Sequence, residues 1–271
     1  VPLKTKFLSE HEAILMRALK REVYEELGYD LEEGINNGEI SSFSELAEIL
    51  APEFAQIRYR TWFYRVDLSK KINFILDSGE FAISFWESPE VLLESFHAGK
   101  ILMVPPTRWV LEKLQNNPCA KQLGNLSANY KNNDKVPCLE MLDGIEMLAV
   151  RSATIPPADR TNAFLLGDEG ATKLLVDPSP NSEKELQRLL NTIEYREINS
   201  IFLTHHHPDH HQFSNQLARK LSIPIILSKD TQQRLVNKFG ADYFDKIKLH
   251  NTIENEEVTK WHGTPVRVFE I

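Results

Sequence analysis

The chain has 271 residues, a hydrophobic fraction of 42%, a charged fraction of 26% and a formal net charge of −8. That length holds one large domain or two ordinary ones, and the composition is that of a folded globular protein. The acidic balance argues against a protein that coats nucleic acid, and no apolar run approaches the roughly 20 residues of a membrane span.

The start, Val1-Pro2-Leu3-Lys4, shows no signal-peptide pattern. Cys119 and Cys138 have no zinc spacing and are not expected to pair. A cytoplasmic, reducing setting is the expectation.

Residues 10–27 predict a helix. Apolar residues recur at Ile14, Leu15, Ala18, Leu19 and Val23, and Gly28 stands at the stop position. At about 100° per residue, Glu22, Glu25 and Glu26 share an arc of roughly 100°. Ile14, Leu15, Ala18 and Leu19 fall in or near that arc, so the carboxylates extend the inward stripe. Three like charges beside apolar side chains repel one another and lose solvation. A divalent cation offsets both costs, and hard carboxylate oxygens suit Mg²⁺ or Mn²⁺. The alternative is a solvated acidic face.

The run Arg21-Glu22-Val23-Tyr24-Glu25-Glu26-Leu27-Gly28-Tyr29 resembles the second half of the Nudix box, Arg-Glu-apolar-x-Glu-Glu-x-Gly-apolar. The resemblance implies a Nudix-like α/β/α sandwich over residues 1–114, entered without its first strands. It implies that Glu22, Glu25 and Glu26 bind Mg²⁺ or Mn²⁺, with Glu25 catalytic and Arg21 orienting the carboxylates. The first half of the box departs. Its Gly and Glu positions are Phe7 and Ala13, and Glu12 lies one residue out of phase. Phe7 cannot take up a glycine-only conformation cheaply. Whether the domain hydrolyses a nucleoside diphosphate derivative or only binds one stays open.

Further on, residues 57–66 form a β-rich run. Its approach, Pro52-Glu53-Phe54-Ala55, resembles the coenzyme A diphosphatase-like branch of the Nudix group. Ser88 and Pro89 open a helix, and Pro105-Pro106-Thr107 opens another that carries Trp109, Val110, Leu111 and Leu114. Residues 115–137 are polar and unperiodic, and are expected to be a linker.

From about residue 138 the texture becomes α/β. Strands are expected at 146–151, 162–166 and 173–177, the last two joined by a turn at Gly167-Asp168-Glu169-Gly170. An amphipathic helix follows over 183–195, then a strand ending at Leu203. A helix near 213–221, a strand at 224–227, a helix at 231–239 capped by Asp230, and a strand from Thr264 complete the series. Alternating units of this kind imply a sheet covered by helices.

Directly after the strand ending at Leu203 comes Thr204-His205-His206-His207-Pro208-Asp209-His210-His211, with five histidines and one aspartate in seven residues. In an extended backbone His205 and His207 project to one side. Pro208 turns the chain ahead of Asp209 and His210. Imidazole and carboxylate are ligands for zinc or iron, and two adjacent ligand pairs suit two metals and a bridging hydroxide. The alternative is a histidine-rich surface loop.

The motif resembles Thr-His-x-His-x-Asp-His of the metallo-β-lactamase-fold hydrolases. By that resemblance residues 138–271 are the first half of the αβ/βα fold. His205, His207, Asp209 and His210 bind Zn²⁺ (or Fe or Mn), Asp209 is also catalytic, and Asp177 braces the site without binding metal. His206 and His211 lie outside the pattern, and His250 and His262 are expected on the surface. The family's later ligands follow the strand that begins at Thr264, so the chain is expected to be an internal piece of a longer protein. The resemblance implies hydrolysis of a thioester, an ester or lactone, or a phosphodiester. The charge balance favours a small metabolite over RNA. The oligomeric state stays open.

Overall fold

A computed structural model describes residues 10–55, 57–76, 79, 81, 83–127, 134–168 and 173–269. The chain start with Phe7, the middle of the expected linker, the turn residues Glu169 and Gly170, and the final Glu270 and Ile271 lie outside them.

Helix α1 (Glu10–Leu27) has the predicted bounds and ends at Gly28, whose φ of 60° favours glycine. Helix α2 (Leu31–Asn36) follows. The Asp30 carboxylate caps it, accepting from the N–H groups of Glu32 and Glu33 at 2.8 and 3.0 Å. Strands β1 (Ile40–Leu50) and β2 (Arg60–Leu68) pair antiparallel. Helices α3 (Pro89–His97) and α4 (Pro105–Asn116) come next, and Ser88 caps α3 as predicted. The two residues of β3 (Gly124–Asn125) then complete a sheet in the order β2-β1-β3. Val110 of α4 packs on Leu46, Ala47 and Ile49 of β1.

Three expectations change here. A Nudix-like sandwich is not shown: the described N-terminal residues form this small sheet with α4 against it. The inward stripe of α1 is only partly covered: Leu15, Ala18, Leu19 and Val23 are half-buried, and Ile14 is 49% exposed. Periodicity identifies the side chains that share an arc, not what covers them. Part of the expected linker is also structured. Leu123 N–H donates to the Leu46 carbonyl at 2.6 Å, Leu126 N–H to the Glu48 carbonyl at 3.1 Å, and Arg65 reaches the carbonyls of Pro118 and Ala120. Its few apolar residues, Ala120, Leu123 and Leu126, are what the sheet covers.

The C-terminal region is built on a seven-stranded sheet in the order β10-β9-β8-β7-β6-β5-β4. Strands β4 (Cys138–Leu142), β5 (Ile145–Arg151), β6 (Arg160–Leu166) and β7 (Lys173–Val176) run antiparallel in sequence. From β7 the pairing becomes parallel, through β8 (Ile198–Leu203), β9 (Ile225–Leu227) and β10 (Leu249–Asn251). Each parallel step needs a crossover: helix α5 (Glu183–Ile193), then the short α6 (Pro208–His211) with α7 (Ser214–Leu221), then α8 (Lys229–Phe239). A separate hairpin, β11 (Glu257–Trp261) with β12 (Thr264–Arg267), closes the described chain.

Leu175, Ile201, Leu203, Ile225 and Leu227 of the parallel strands are fully buried with Leu186, Leu189, Leu217 and Leu235 of the helices. Each such side chain contributes roughly 1.5–3 kcal/mol of burial. The α8 cap is Ser228, which accepts from Thr231 N–H at 3.1 Å; Asp230, the expected cap, instead holds Arg234 at 2.7 Å. Both cysteines are free thiols. Among the described residues no helix is long and apolar enough to cross a membrane.

His250 is exposed as expected and bonds Glu256. His262 is not on the surface. Its side chain is 16% exposed, with Nε2 3.1 Å from Asp143 Oδ2 and 4.0 Å from Asp168 Oδ1. His97 of α3 holds the other oxygen of Asp143 at 2.7 Å. Gly99 makes the approach possible, because a Cβ there would stand 2.4 Å from the His262 ring. This knot joins α3, the β4–β5 turn, the residues after β6 and the β11–β12 turn.

Candidate metal centre

The histidine stretch leaves the sheet at the C-terminal end of β8, between two parallel neighbours, where such sheets place their ligands. His207 is extended, with φ −69° and ψ 144°, and is the residue before α6; Pro208 supplies the first helical position. The single turn of α6 then presents Asp209 and His210, with His210 N–H bonded to the His207 carbonyl at 3.0 Å. The fully buried Ser179 hydroxyl donates to the Asp209 carbonyl and pins the turn from below.

Two pairs of donor atoms face each other. His205 Nε2 lies 3.1 Å from His207 Nδ1, and His210 Nε2 lies 3.6 Å from Asp209 Oδ2. The rings of His205 and His210 are 4.1 Å apart, so the two pairs adjoin. Three imidazoles and a carboxylate form a donor set that suits zinc or iron.

Asp177 lies beneath, just after β7, with a φ of 49° and 5% exposure. Its N–H donates to the Phe202 carbonyl at 2.9 Å, which ties it to β8. Its Oδ1 accepts from Thr204 N–H at 2.8 Å, and its Oδ2 accepts from Thr204 Oγ1 at 2.6 Å and from His210 Nδ1 at 2.8 Å. Among the described residues, Asp177, His205 and His210 form the one group of three ligand-type side chains with donor atoms within 4.8 Å of one another. Distance alone therefore admits Asp177 as a ligand. With three donors already on its two oxygens it is better suited to hold the ligands than to hold an ion.

Burial, followed by the neighbouring His210 and His207, lowers the His205 pKa and favours the neutral, ligand-competent ring. The bond to Asp177 raises that of His210, against the effect of burial. His211, outside the pattern as expected, is a core residue. Its Nδ1 bonds the Tyr243 hydroxyl at 2.9 Å, and burial pushes its pKa down to about 4. The sequence alone assigns no role to Thr204, Ser179 or Tyr243. Thr204 stood inside the motif and was the one that could have been found there.

The acidic trio of α1 behaves differently. Arg21 bonds Glu22 and lies 3.7 Å from Glu25. The Glu22 and Glu25 side chains are 47% and 61% exposed, and no triad of donors gathers on α1 among the described residues. Arg21 offsets part of the repulsion among these carboxylates, and Mg²⁺ or Mn²⁺ at Glu22, Glu25 and Glu26 stays an expectation.

Residues 156–270 match the family described as the metallo-beta-lactamase superfamily. The C-terminal region has a metallo-β-lactamase fold. Among solved structures the chain is similar to a metallo-beta-lactamase from Hirschia baltica, at 18% identity over 48% of this chain and 58% of that one, with a TM-score of 0.35. It is similar to the mono-zinc form of a metallo-beta-lactamase from Pseudomonas aeruginosa, at 17% identity over 45% and 53%, TM-score 0.34. It is also similar to a flavoprotein from Thermotoga maritima, at 19% identity over 48% and 34%, TM-score 0.36. The chain spans about half the length of the metallo-beta-lactamase structures it matches, 58% and 48% of the first two. No curated protein matches it. Within the metallo-β-lactamase-fold region, His205, His207, Asp209, His210 and Asp177 all fall inside the matched residues.

Proposed function

We propose that the metallo-β-lactamase-fold region is the metal-holding part of a hydrolase acting on a thioester or ester of a small metabolite. The observation that carries this reading is the pair of facing donor sets, His205 Nε2 with His207 Nδ1 at 3.1 Å and His210 Nε2 with Asp209 Oδ2 at 3.6 Å. His205, His207, Asp209 and His210 hold the ion or ions, with zinc the best fit to the donors and iron or manganese the alternatives. A bound divalent ion supplies Lewis acidity to a carbonyl and makes a water nucleophilic near neutral pH. Asp209, partly open to solvent, orients the attacking water or takes its proton on the carboxylate oxygen that does not hold the ion. Asp177 fixes His210 through Nδ1 and, with Ser179, keeps the loop on the sheet edge.

The loop's own sequence supports a small metabolite over RNA. No Lys or Arg occurs from Ile198 to Phe213, so nothing on the loop itself neutralises a run of phosphates. The test is metal analysis of the full-length protein together with hydrolysis of acyl thioesters, simple esters and a short RNA. Zinc bound by the wild type and lost in His207→Ala, with turnover of a thioester or ester, is the expected result. Salt-sensitive cleavage of the RNA alone would overturn the substrate class. A protein that binds no zinc, iron or manganese would overturn the reading itself.

A further inference from the structure

Hydrogen-bond polarity around Asp177 fixes where the protons are. A carboxylate only accepts, so the hydroxyl proton of Thr204, 2.6 Å from Asp177 Oδ2, points to Asp177. A hydroxyl has one proton. The contact between Thr204 Oγ1 and His205 Nδ1, at 2.9 Å, must then run the other way, with Nδ1–H donating to the hydroxyl oxygen. His210 likewise donates through Nδ1–H, at 2.8 Å, to the same carboxylate oxygen. Both rings are left with an Nε2 lone pair. That of His205 is directed at His207 Nδ1, and that of His210 lies beside Asp209 Oδ2.

We propose that Thr204 is a positioning residue: its hydroxyl relays the Asp177 carboxylate to His205, so that one buried acid sets the tautomer of two imidazoles and turns both Nε2 atoms towards a cation. The relay builds on the metal-binding reading above, and it makes a statement about the metal-free protein as well. A free imidazole favours the proton on Nε2, the wrong nitrogen for such a ligand. The partner on Nδ1 decides the matter.

The experiment is histidine side-chain nitrogen NMR on the metal-free full chain at pH 8, with Zn²⁺ affinity measured by chelator competition. In the wild type His205 carries its proton on Nδ1. Thr204→Val keeps the shape and removes the hydroxyl; His205 moves towards the Nε2–H form and zinc affinity falls about 10–100-fold, the range for loss of an outer partner. Thr204→Ser retains the hydroxyl and restores both readouts, which a purely structural role for the side chain does not predict. An Nε2–H His205 in the wild type, or a Val variant with unchanged tautomer and affinity, overturns the proposal. If Thr204→Val does not fold, the wild-type tautomer alone decides. If the wild type binds no zinc, the metal reading falls while the tautomer still tests the relay.

Discussion

Replacing Asp177 by Asn tests the base of the centre. The backbone accepts the change, because Asn tolerates the φ of 49° that Asp177 adopts. The hydrogen bonds do not. The carboxylate serves three donors, two at Oδ2 and one at Oδ1. An amide has one acceptor oxygen and one NH₂ group. Turned so that its oxygen meets Thr204 Oγ1 and His210, it sets its NH₂ against Thr204 N–H. That buried amide loses its partner, at about 1–3 kcal/mol, and the two remaining bonds lose their charge assistance, at about 1 kcal/mol each. The total is about 3–5 kcal/mol, a large share of the roughly 5–15 kcal/mol that holds a domain together. Urea unfolding of wild type and variant in a strong chelator measures it free of any metal contribution. A loss under about 1 kcal/mol would refute the view that this carboxylate is the keystone of the loop.

Three further outcomes are expected. Zinc at a hundred times its dissociation constant should stabilise the wild type by about 2.7 kcal/mol in thermal or urea unfolding, and His205→Ala should abolish the gain; a variant that keeps it would place the ion elsewhere. Arg188→Met should cost about 3–5 kcal/mol, because it strips Nη1, 2.6 Å from Oε2, away from the buried Glu185 carboxylate. A value near zero, measured by the same unfolding, would mean that the Arg151 N–H contact of Glu185 suffices. The third concerns pH. His211 has its pKa lowered from 6.5 to about 4 by burial. The unfolded chain therefore binds the proton more readily, and the stability from neutral His211 is complete above pH 6.5 and lost as pH falls from there towards 4. The amount is up to about 3 kcal/mol. His211→Phe should flatten the stability profile in that window, and identical slopes in wild type and variant would refute the assignment.

Most of the C-terminal region was legible because its signals are local. Leu174, Leu175 and Val176 form an apolar run ended by Asp-Pro; Leu186, Leu189 and Ile193 recur at helical spacing; the His motif sits at a strand end. Strand β1 was not legible. Its pairing shifts register between Ile40 and Ser42 and between Glu45 and Ala47, which breaks the period of two. The setting of the acidic trio was not legible for a related reason. Its arc on α1 is real, but whether a face turns inward depends on what packs there, and that is tertiary information. The place of Thr204 needed the fold too, since its partner Asp177 is 27 residues away in sequence. His262 looked like surface because its contacts, Asp143 and Asp168, come from remote turns.

The knot of His97, Asp143, Asp168 and His262 has a temporal side. During synthesis His97 and the two carboxylates leave the ribosome first, and His262 follows 94 residues after Asp168. Until then Asp168 has no imidazole to face and the β11–β12 turn has nothing to seat. Nascent chains halted before residue 262 therefore hold the N-terminal helices to the growing sheet through His97–Asp143 and Arg108–Glu140, and gain the His262 contacts only once that residue has emerged.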